Sequence, residues 1–404
     1  MKRWRGPITA GLIITAVLAV VLVSAYSKRE KEQQQHYQNE ETRVTVSNIA
    51  GAAVELFQAG STMEDAKPVR PAGSTFWLRR GNYFLRIQQG PRTSFYPVSI
   101  VGYRAGPEKD GSLIVTIRPY PEEQPPMLLP LQEFAFIPSG YFLLGDRVNP
   151  QDPHYIWLGA YFIEKFEVTN AEFRQFLNDP AGYTDESNWT EEGKRWRSTH
   201  PSRVTALLKP EDTEYRRFGL EDHPVVEVKW YEANAYCRWL TRKLGSGIWE
   251  FSLPSEAEWE KAGRGPDSFD YGLGLALSDD AVRLYNWRKN PDAKITVETI
   301  GASKREYTAN RYGIYHMSGN ASEWTQSIDR PYNREHPYVE EDRNRDDTAG
   351  QRVVRGGSWY TASIALLNLA YRDTFSPEQS TNERGFRIVA RRMPITTSEK
   401  PQKN

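Results

Sequence analysis

A single cysteine, Cys237, stands among 404 residues. That count excludes an internal disulfide, a multi-cysteine zinc site and an iron–sulfur cluster bound by one chain. Ala233, Tyr236, Cys237, Leu240 and Leu244 recur at three- and four-residue steps. This spacing predicts a helix from about Tyr231 and puts the thiol in the middle of a buried stripe, where a free cysteine behaves as a small apolar residue. The six histidines, His36, His154, His200, His223, His316 and His336, show neither helical pairing nor close spacing, so no contiguous zinc or iron motif is written in them. His223 is expected to cap or hydrogen-bond a turn. The run from Glu340 to Asp347 mixes both signs and reads as a solvated loop, with an acidic metal loop as its alternative. With 52 Lys+Arg against 52 Asp+Glu the formal charge is zero. No global field steers this chain to nucleic acid, which is not an expected partner.

The elements that must carry these residues can be placed in outline. Phe136 to Gly145 reads as a strand pair around a Pro-Ser-Gly turn, followed by a strand at Tyr161–Ile163. Thr169-Asn-Ala-Glu172 and Ser255-Glu-Ala-Glu258 are capping boxes, in which the hydroxyl and the carboxylate each satisfy a free amide at a helix start. Beyond Gly265 helix signals fade. Of the 12 Trp, 22 Tyr and 16 Phe, most lie from Phe134 onward, where indole N–H groups can pin loops that lack regular hydrogen bonding.

Upstream the pattern differs. Lys2, Arg3 and Arg5 precede an uncharged apolar run from Pro7 to about Ala25, close to the roughly 20 residues that span a bilayer as a helix. We read an uncleaved anchor with its N-terminus inside, a single pass of the cytoplasmic (inner) membrane, and an extracytoplasmic, periplasmic bulk. A cleaved signal ending near Val23-Ser24-Ala25 is the competing reading, and both export the remainder. Short apolar alternations between Arg43 and Pro119 predict six or seven strands in a small antiparallel sandwich. Residues 1–27 are thus a transmembrane anchor, 28–42 a polar stalk, 43–119 a small β-sandwich, 120–133 a proline-rich linker, 134–393 a large loop-rich domain and 394–404 a polar tail. The β region resembles the PEGA-type surface modules of bacterial proteins, of whose name-giving motif Gly51-Ala52 is present.

The large domain resembles the formylglycine-generating enzyme (sulfatase-modifying factor) superfamily. The resemblance rests on Ile137-Pro-Ser-Gly140, Phe166-Glu-Val-Thr-Asn-Ala-Glu172, His223-Pro-Val-Val226 with Trp230 to Leu240, Leu253 to Glu260, Asn310 to Trp324, Arg355-Gly-Gly-Ser-Trp359 and Gly385-Phe-Arg-Ile388, in that order. It implies an α+β, C-type-lectin-like, loop-rich fold. In formylglycine-generating enzymes two cysteines follow the Gly-Gly-Ser segment and bind copper; those positions fall here on Thr361 and Leu366. Neither can supply a thiolate, so copper is not expected. The histidine iron site of the sulfoxide-synthase branch is also missing its upstream ligands. The resemblance implies structural Ca²⁺ at Glu323 with the Gly319 and Ala321 carbonyls, His316 standing where the family has Asp or Asn. A second calcium site would include Asn286, with Asp292 a distant partner. Lys229 departs from the helix-capping Ser common before Trp230.

Fold membership does not fix the reaction. The expectation is a membrane-anchored, extracytoplasmic protein whose domain lacks the family's thiol chemistry and serves as a binding or scaffold module, an accessory subunit with protein partners in an envelope complex. The alternative is a divergent oxidoreductase using a non-cysteine metal site on a peptide or small molecule. By analogy with the lectin-like fold, a third reading is ligand recognition near Trp359, Tyr360 and Arg372.

Overall fold

In the computed structural model of the chain, residues 41–393 are described, apart from 48–50, 70–73, 102–105, 119–123, 127–133, 146–152, 205–217, 277–308, 333–335, 337, 341–343, 345–348 and 362. The expected anchor, most of the stalk and linker, the polar tail, Asn286 and Asp292 lie outside the described residues. Among the described residues no helix is long and apolar enough to cross a membrane.

The N-terminal module forms because short stretches alternate apolar and polar residues, and a strand turns alternate side chains to opposite faces. β1 (Thr42–Ser47) buries Val44 and Val46. It pairs antiparallel with β4 (Thr75–Leu78) and parallel with β7 (Leu113–Thr116). The second sheet runs in the order β3 (Lys67–Val69), β2 (Ala53–Gln58), β5 (Gly81–Gln89), β6 (Arg92–Ile100). Its longest pairing, Gly81↔Ile100 to Gln89↔Arg92, closes over Gly90-Pro91. Gly90 at φ 57° supplies the positive-φ position such a tight turn needs. Leu56, Leu85, Ile87, Val98 and Ile117 from the two sheets and their edges meet in one core.

The C-terminal domain is built on two four-stranded sheets. One has the order β12 (Trp249–Ser252), β17 (Val389–Arg392), β11 (Tyr161–Glu164), β8 (Phe134–Ile137), all antiparallel. The other is β15 (Asp373–Phe375), β14 (Arg352–Arg355), β13 (Ser322–Ile328), β16 (Arg384–Gly385). A hairpin of β9 (Gly140–Leu144) and β10 (His154–Leu158) stands beside them.

Among the described residues four helices accompany these sheets, α1 (Asn170–Asn178), α2 (Glu191–Ser198), α3 (Trp230–Leu244) and α4 (Glu256–Arg264), of which α3 packs on β12 and α4 on β9, β13 and β14. α1 and α4 start at the two capping boxes: the Glu172 and Glu258 carboxylates accept the Thr169 and Ser255 N–H groups at 2.8 Å. α3 starts without a side-chain cap from Lys229, and Glu232 accepts the Lys229 N–H instead (2.8 Å). Nothing in the spacing singles out α2, because Gly193 occupies the position where a capping box needs a carboxylate.

Trp230, Trp259 and Trp324 are fully buried. Each removes about 150–250 Å² from water, roughly 4–6 kcal/mol of hydrophobic stabilisation. Their indole N–H groups donate to Thr325 O (2.9 Å), Glu323 Oε2 (2.8 Å) and Val228 O (3.0 Å), so each of the three buried indoles has its donor met. Cys237 lies in the core that holds Trp230 and Trp324, on the buried stripe of α3.

The two modules touch directly. Arg311 forms a two-pronged pair with Asp267 (2.9 Å each), donates to Met63 O (2.9 Å) and lies over the Phe84 ring at 4.4 Å. Tyr312 Oη donates to Phe95 O (3.2 Å), Asn82 donates to Ser268 O (3.3 Å), and the Ser99 and Ser268 hydroxyls share a hydrogen bond of 2.6 Å. Positions 311 and 312 belong to the large domain, and they grip the β module through carbonyls of Met63 and Phe95 and through the Phe84 ring.

Candidate functional site

The loop before β13 is bent by left-handed residues: His316 (φ 61°), Gly319 (φ 101°) and Asn320 (φ 64°). A non-glycine residue at positive φ is uncommon and needs surrounding structure to hold it. That structure is a buried polar cluster. His316 Nδ1 meets Glu167 Oε2 at 3.0 Å, and Asn320 Nδ2 donates to Glu167 Oε1 at 2.6 Å. Beside it, Arg387 grips Glu323 in a fork, Nε to Oε2 at 2.7 Å and Nη2 to Oε1 at 2.8 Å. Its remaining donors go to Glu164 O, Lys165 O and Tyr315 O at 3.0–3.2 Å. All five guanidinium hydrogens are therefore used, which is what a buried arginine requires. Burial, and then the neighbouring Glu172 carboxylate, push Glu164 well above the usual carboxylate range. Burial also pushes Glu167 up, but His316 and Arg387 outweigh it and hold its carboxyl below its ordinary value.

The second half of the site is the turn after β14. Gly356 and Gly357 have φ of 92° and 64°. A Cβ on Gly357 would stand 2.6 Å from Leu367 Cδ2 and 3.1 Å from Thr361 Oγ1, so the chain has room only for glycine there. The Thr361 hydroxyl accepts the Ser358 N–H (2.8 Å), and Ser358 Oγ donates to Glu383 Oε2 (2.7 Å) while accepting the Tyr360 N–H (3.2 Å). Leu366 sits half-buried in a single 3₁₀ turn, Ile364–Leu367. Gly319 N to Gly356 O (2.8 Å) and Trp359 N to Asn320 O (2.8 Å) stitch this turn to the loop before β13.

Residues 120–392 match the FGE-sulfatase family, the sulfatase-modifying factor enzyme 1-like domain. The chain belongs to this family. A formylglycine-generating enzyme of Streptomyces coelicolor is 28% identical over 294 residues, covering 63% of this chain and 87% of that protein. A hercynine oxygenase of Mycolicibacterium smegmatis is 28% identical over 279 residues, covering 63% of this chain and 60% of its own length. Among solved structures, Treponema denticola variable protein 1 aligns with a TM-score of 0.46 at 20% identity, over 65% of this chain and 99% of that one. The FGE-sulfatase match leaves the β module outside it.

Two groups that the FGE-sulfatase family implies can be tested against the residues present. Copper held by thiolates does not fit: Thr361 closes a turn with its hydroxyl, Leu366 has no donor, and Cys237 is buried in α3. Calcium at the expected ligands does not fit either. Both Glu323 oxygens accept from Arg387, Oε2 also accepts from Trp259, and His316 turns its Nδ1 to Glu167. A cation already lies on Glu323, and it is a side chain of this domain. Among the described residues no group of three or more His, Cys, Asp and Glu side chains could hold a metal ion.

Two further expectations change. Arg372, expected beside Trp359 and Tyr360 to meet a ligand, instead pairs with Glu256 (2.5 Å) and Asp329 (3.4 Å), joining a buried network with Arg355 and Glu260. Glu340, the first residue of the run read as a solvated loop, turns inward, accepting from Ser255 Oγ and Asn344 Nδ2 at 2.8 Å each, while 341–343 and 345–347 of that run lie outside the described residues. His223 makes local contacts, with Nδ1 3.0 Å from Asp222 and its carbonyl accepting the Asn170 N–H. The sequence reading assigned no role to Glu167 or Arg387. Their only local signal is one charge of each sign set between bulky apolar neighbours, Phe166-Glu-Val168 and Phe386-Arg-Ile388.

Proposed function

We propose that this chain is a membrane-anchored, extracytoplasmic protein whose FGE-sulfatase domain does not oxidise thiols and works as a binding or scaffold module, an accessory subunit of an envelope complex. The observation that supports it is the replacement of both thiol positions by groups with other work. Thr361 holds the turn and Leu366 has no polar atom, while the surrounding glycines and hydrogen bonds keep the loop in shape. The fold is kept and the reactive sulfur is gone. Anchoring rests on the apolar run from Pro7 to about Ala25.

The full chain, purified in mild detergent and loaded with copper, is incubated with oxygen and a cysteine peptide. Mass spectrometry is expected to show no aldehyde, and aldehyde formation above a copper-only control overturns the reading. Chains that co-purify in the same detergent are then identified, and isolation as a lone monomer counts against a scaffold. The similarity to a hercynine oxygenase motivates a second reading, an oxidoreductase with a non-cysteine metal site. Stoichiometric iron or copper in the purified chain distinguishes it.

A further inference from the structure

One face of the β module carries apolar side chains that nothing in the chain covers. Among the described residues no large apolar side chain is more exposed than Trp77, at 58%. It stands on β4 opposite Arg43 of β1, and Ile114 of β7, 42% exposed, stands opposite Thr45 of the same strand. Residues paired across strands share a face. Trp77, Arg43, Thr45 and Ile114 therefore lie together on the outer side of the β4-β1-β7 sheet, whose inner side carries Val44 and Val46 into the core.

Charge and the path of the chain point to what meets this face. Thr42 pairs with Leu78, so the chain enters β1 at the end of β4 that is followed by Arg79 and Arg80, both exposed. Arg79 stands 3.6 Å from Glu41 and Arg43 pairs with Asp110, and both pairs are open to water. Such exposed pairs are weak and exchange readily for other anions. Sixteen residues, 26–41, separate the entry to β1 from the apolar run that ends near Ala25. Fully extended they span at most about 53–58 Å. A bilayer that holds the apolar run therefore stays within reach of the face, and the high effective concentration lets a weak attraction suffice. Tryptophan favours the headgroup region and guanidiniums match phosphates. A second protein fits less well. Three strands of four to six residues present roughly 200–300 Å², well under the about 800 Å² per partner of a stable interface.

We propose that the outer face of the β4-β1-β7 sheet docks on the membrane surface, with Trp77 and Ile114 among the lipid headgroups and Arg79 and Arg80 against anionic phosphates. The surface rests on the anchored reading of the chain and makes the β module a base apposed to the bilayer rather than a free spacer. Because Arg311 and Tyr312 join the two modules, the membrane then also sets where the large domain stands.

The full chain is reconstituted into liposomes of equal parts zwitterionic and anionic lipid, with an environment-sensitive fluorophore on Thr75→Cys, an exposed position of the same face, or on Thr93→Cys of β6 in the other sheet. Cys237 is buried, and the wild-type chain carried through the same labelling gives the background. Lipids bearing a nitroxide at the headgroup are expected to quench the probe at position 75 and to leave the probe at position 93 unchanged. Trp77→Ser combined with Ile114→Ser should bring quenching at 75 down to the level at 93. Arg79→Gln and Arg80→Gln are each expected to lower the docked-to-undocked ratio about five-fold, the attraction of one basic residue to an anionic surface, and an all-zwitterionic bilayer should weaken docking of the wild type in the same direction. Equal quenching at 75 and 93, indifference to the Trp77→Ser/Ile114→Ser change or to lipid charge, or a signal that rises with protein rather than lipid concentration, the mark of a second copy, overturns the proposal. A chain that floats with the liposomes without quenching at 75 sinks the docking and leaves the anchor standing, whereas a chain that does not float sinks both.

Discussion

Replacing Arg387 by methionine tests whether a side chain of this domain does the work that the family assigns to an ion. The substitution keeps the aliphatic stem and removes the guanidinium. It strands Glu323 as a fully buried carboxylate with only the Trp259 indole donating to it, and leaves the carbonyls of Glu164, Lys165 and Tyr315 without this donor. Breaking a buried pair from one side costs about 3–5 kcal/mol, because the remaining charge is uncompensated. Against a typical stability of about 5–15 kcal/mol this is a large fraction, and it corresponds to a fall in the unfolding midpoint of roughly 5–15 °C.

The full chain is unfolded by heat and by urea as wild type, as Arg387→Met, and as the Arg387→Met/Glu323→Gln pair. The double variant is expected to be more stable than Arg387→Met, since the neutral amide at position 323 removes the stranded charge. Wild-type midpoints are measured again with a calcium chelator and with added calcium. An ion present at about 100 times its Kd would add about 2.7 kcal/mol, so its loss could not escape notice. No shift is expected. A cost below about 1 kcal/mol for Arg387→Met, or a midpoint that falls on chelation, refutes the claim that Arg387 occupies this position.

Other outcomes follow from the same geometry. Arg311→Ala removes the pair with nearly inaccessible Asp267 and the grip on Met63 O, and is expected to cost about 2–3 kcal/mol; calorimetry should show one unfolding transition in wild type splitting into two. Glu340 has a folded pKa of about 8 against an ordinary 4.5. The folded state therefore holds a proton that the unfolded state has released between those values, and stability from this group falls as pH rises through that window. Glu340→Gln should flatten the decline in urea midpoint between about pH 5 and 8, and an unchanged slope contradicts the assignment. Gly357→Ala forces a Cβ into the Leu367 side chain at positive φ and is expected to destabilise by about 1–3 kcal/mol, read from the urea midpoint.

What could be read from the sequence was what short spacing encodes. The boxes at Thr169 and Ser255 are complete within four residues, so the helices they start were legible, as was the stripe that buries Cys237. The order of motif segments carried the family. The partners inside the site were not legible, because Glu167 meets His316 across 149 residues and Glu323 meets Arg387 across 64. No local pattern encodes which carboxylate a distant guanidinium will choose. Glu340 was misread for the same reason: its neighbours in sequence are charged, but the hydroxyl that receives it is Ser255, 85 residues away.

The junction between the two modules is specified unequally along its length. At Met63 the β module contributes only a carbonyl oxygen, which every residue type possesses, whereas Asn82, Phe84 and Ser99 meet the large domain through their own side chains. Position 63 can therefore drift in sequence without losing its hydrogen bond from Arg311, while positions 82, 84 and 99 are tied to the surface they face. An outer module exchanged for another would have to bring those three side chains with it, so the two modules are bound to change together.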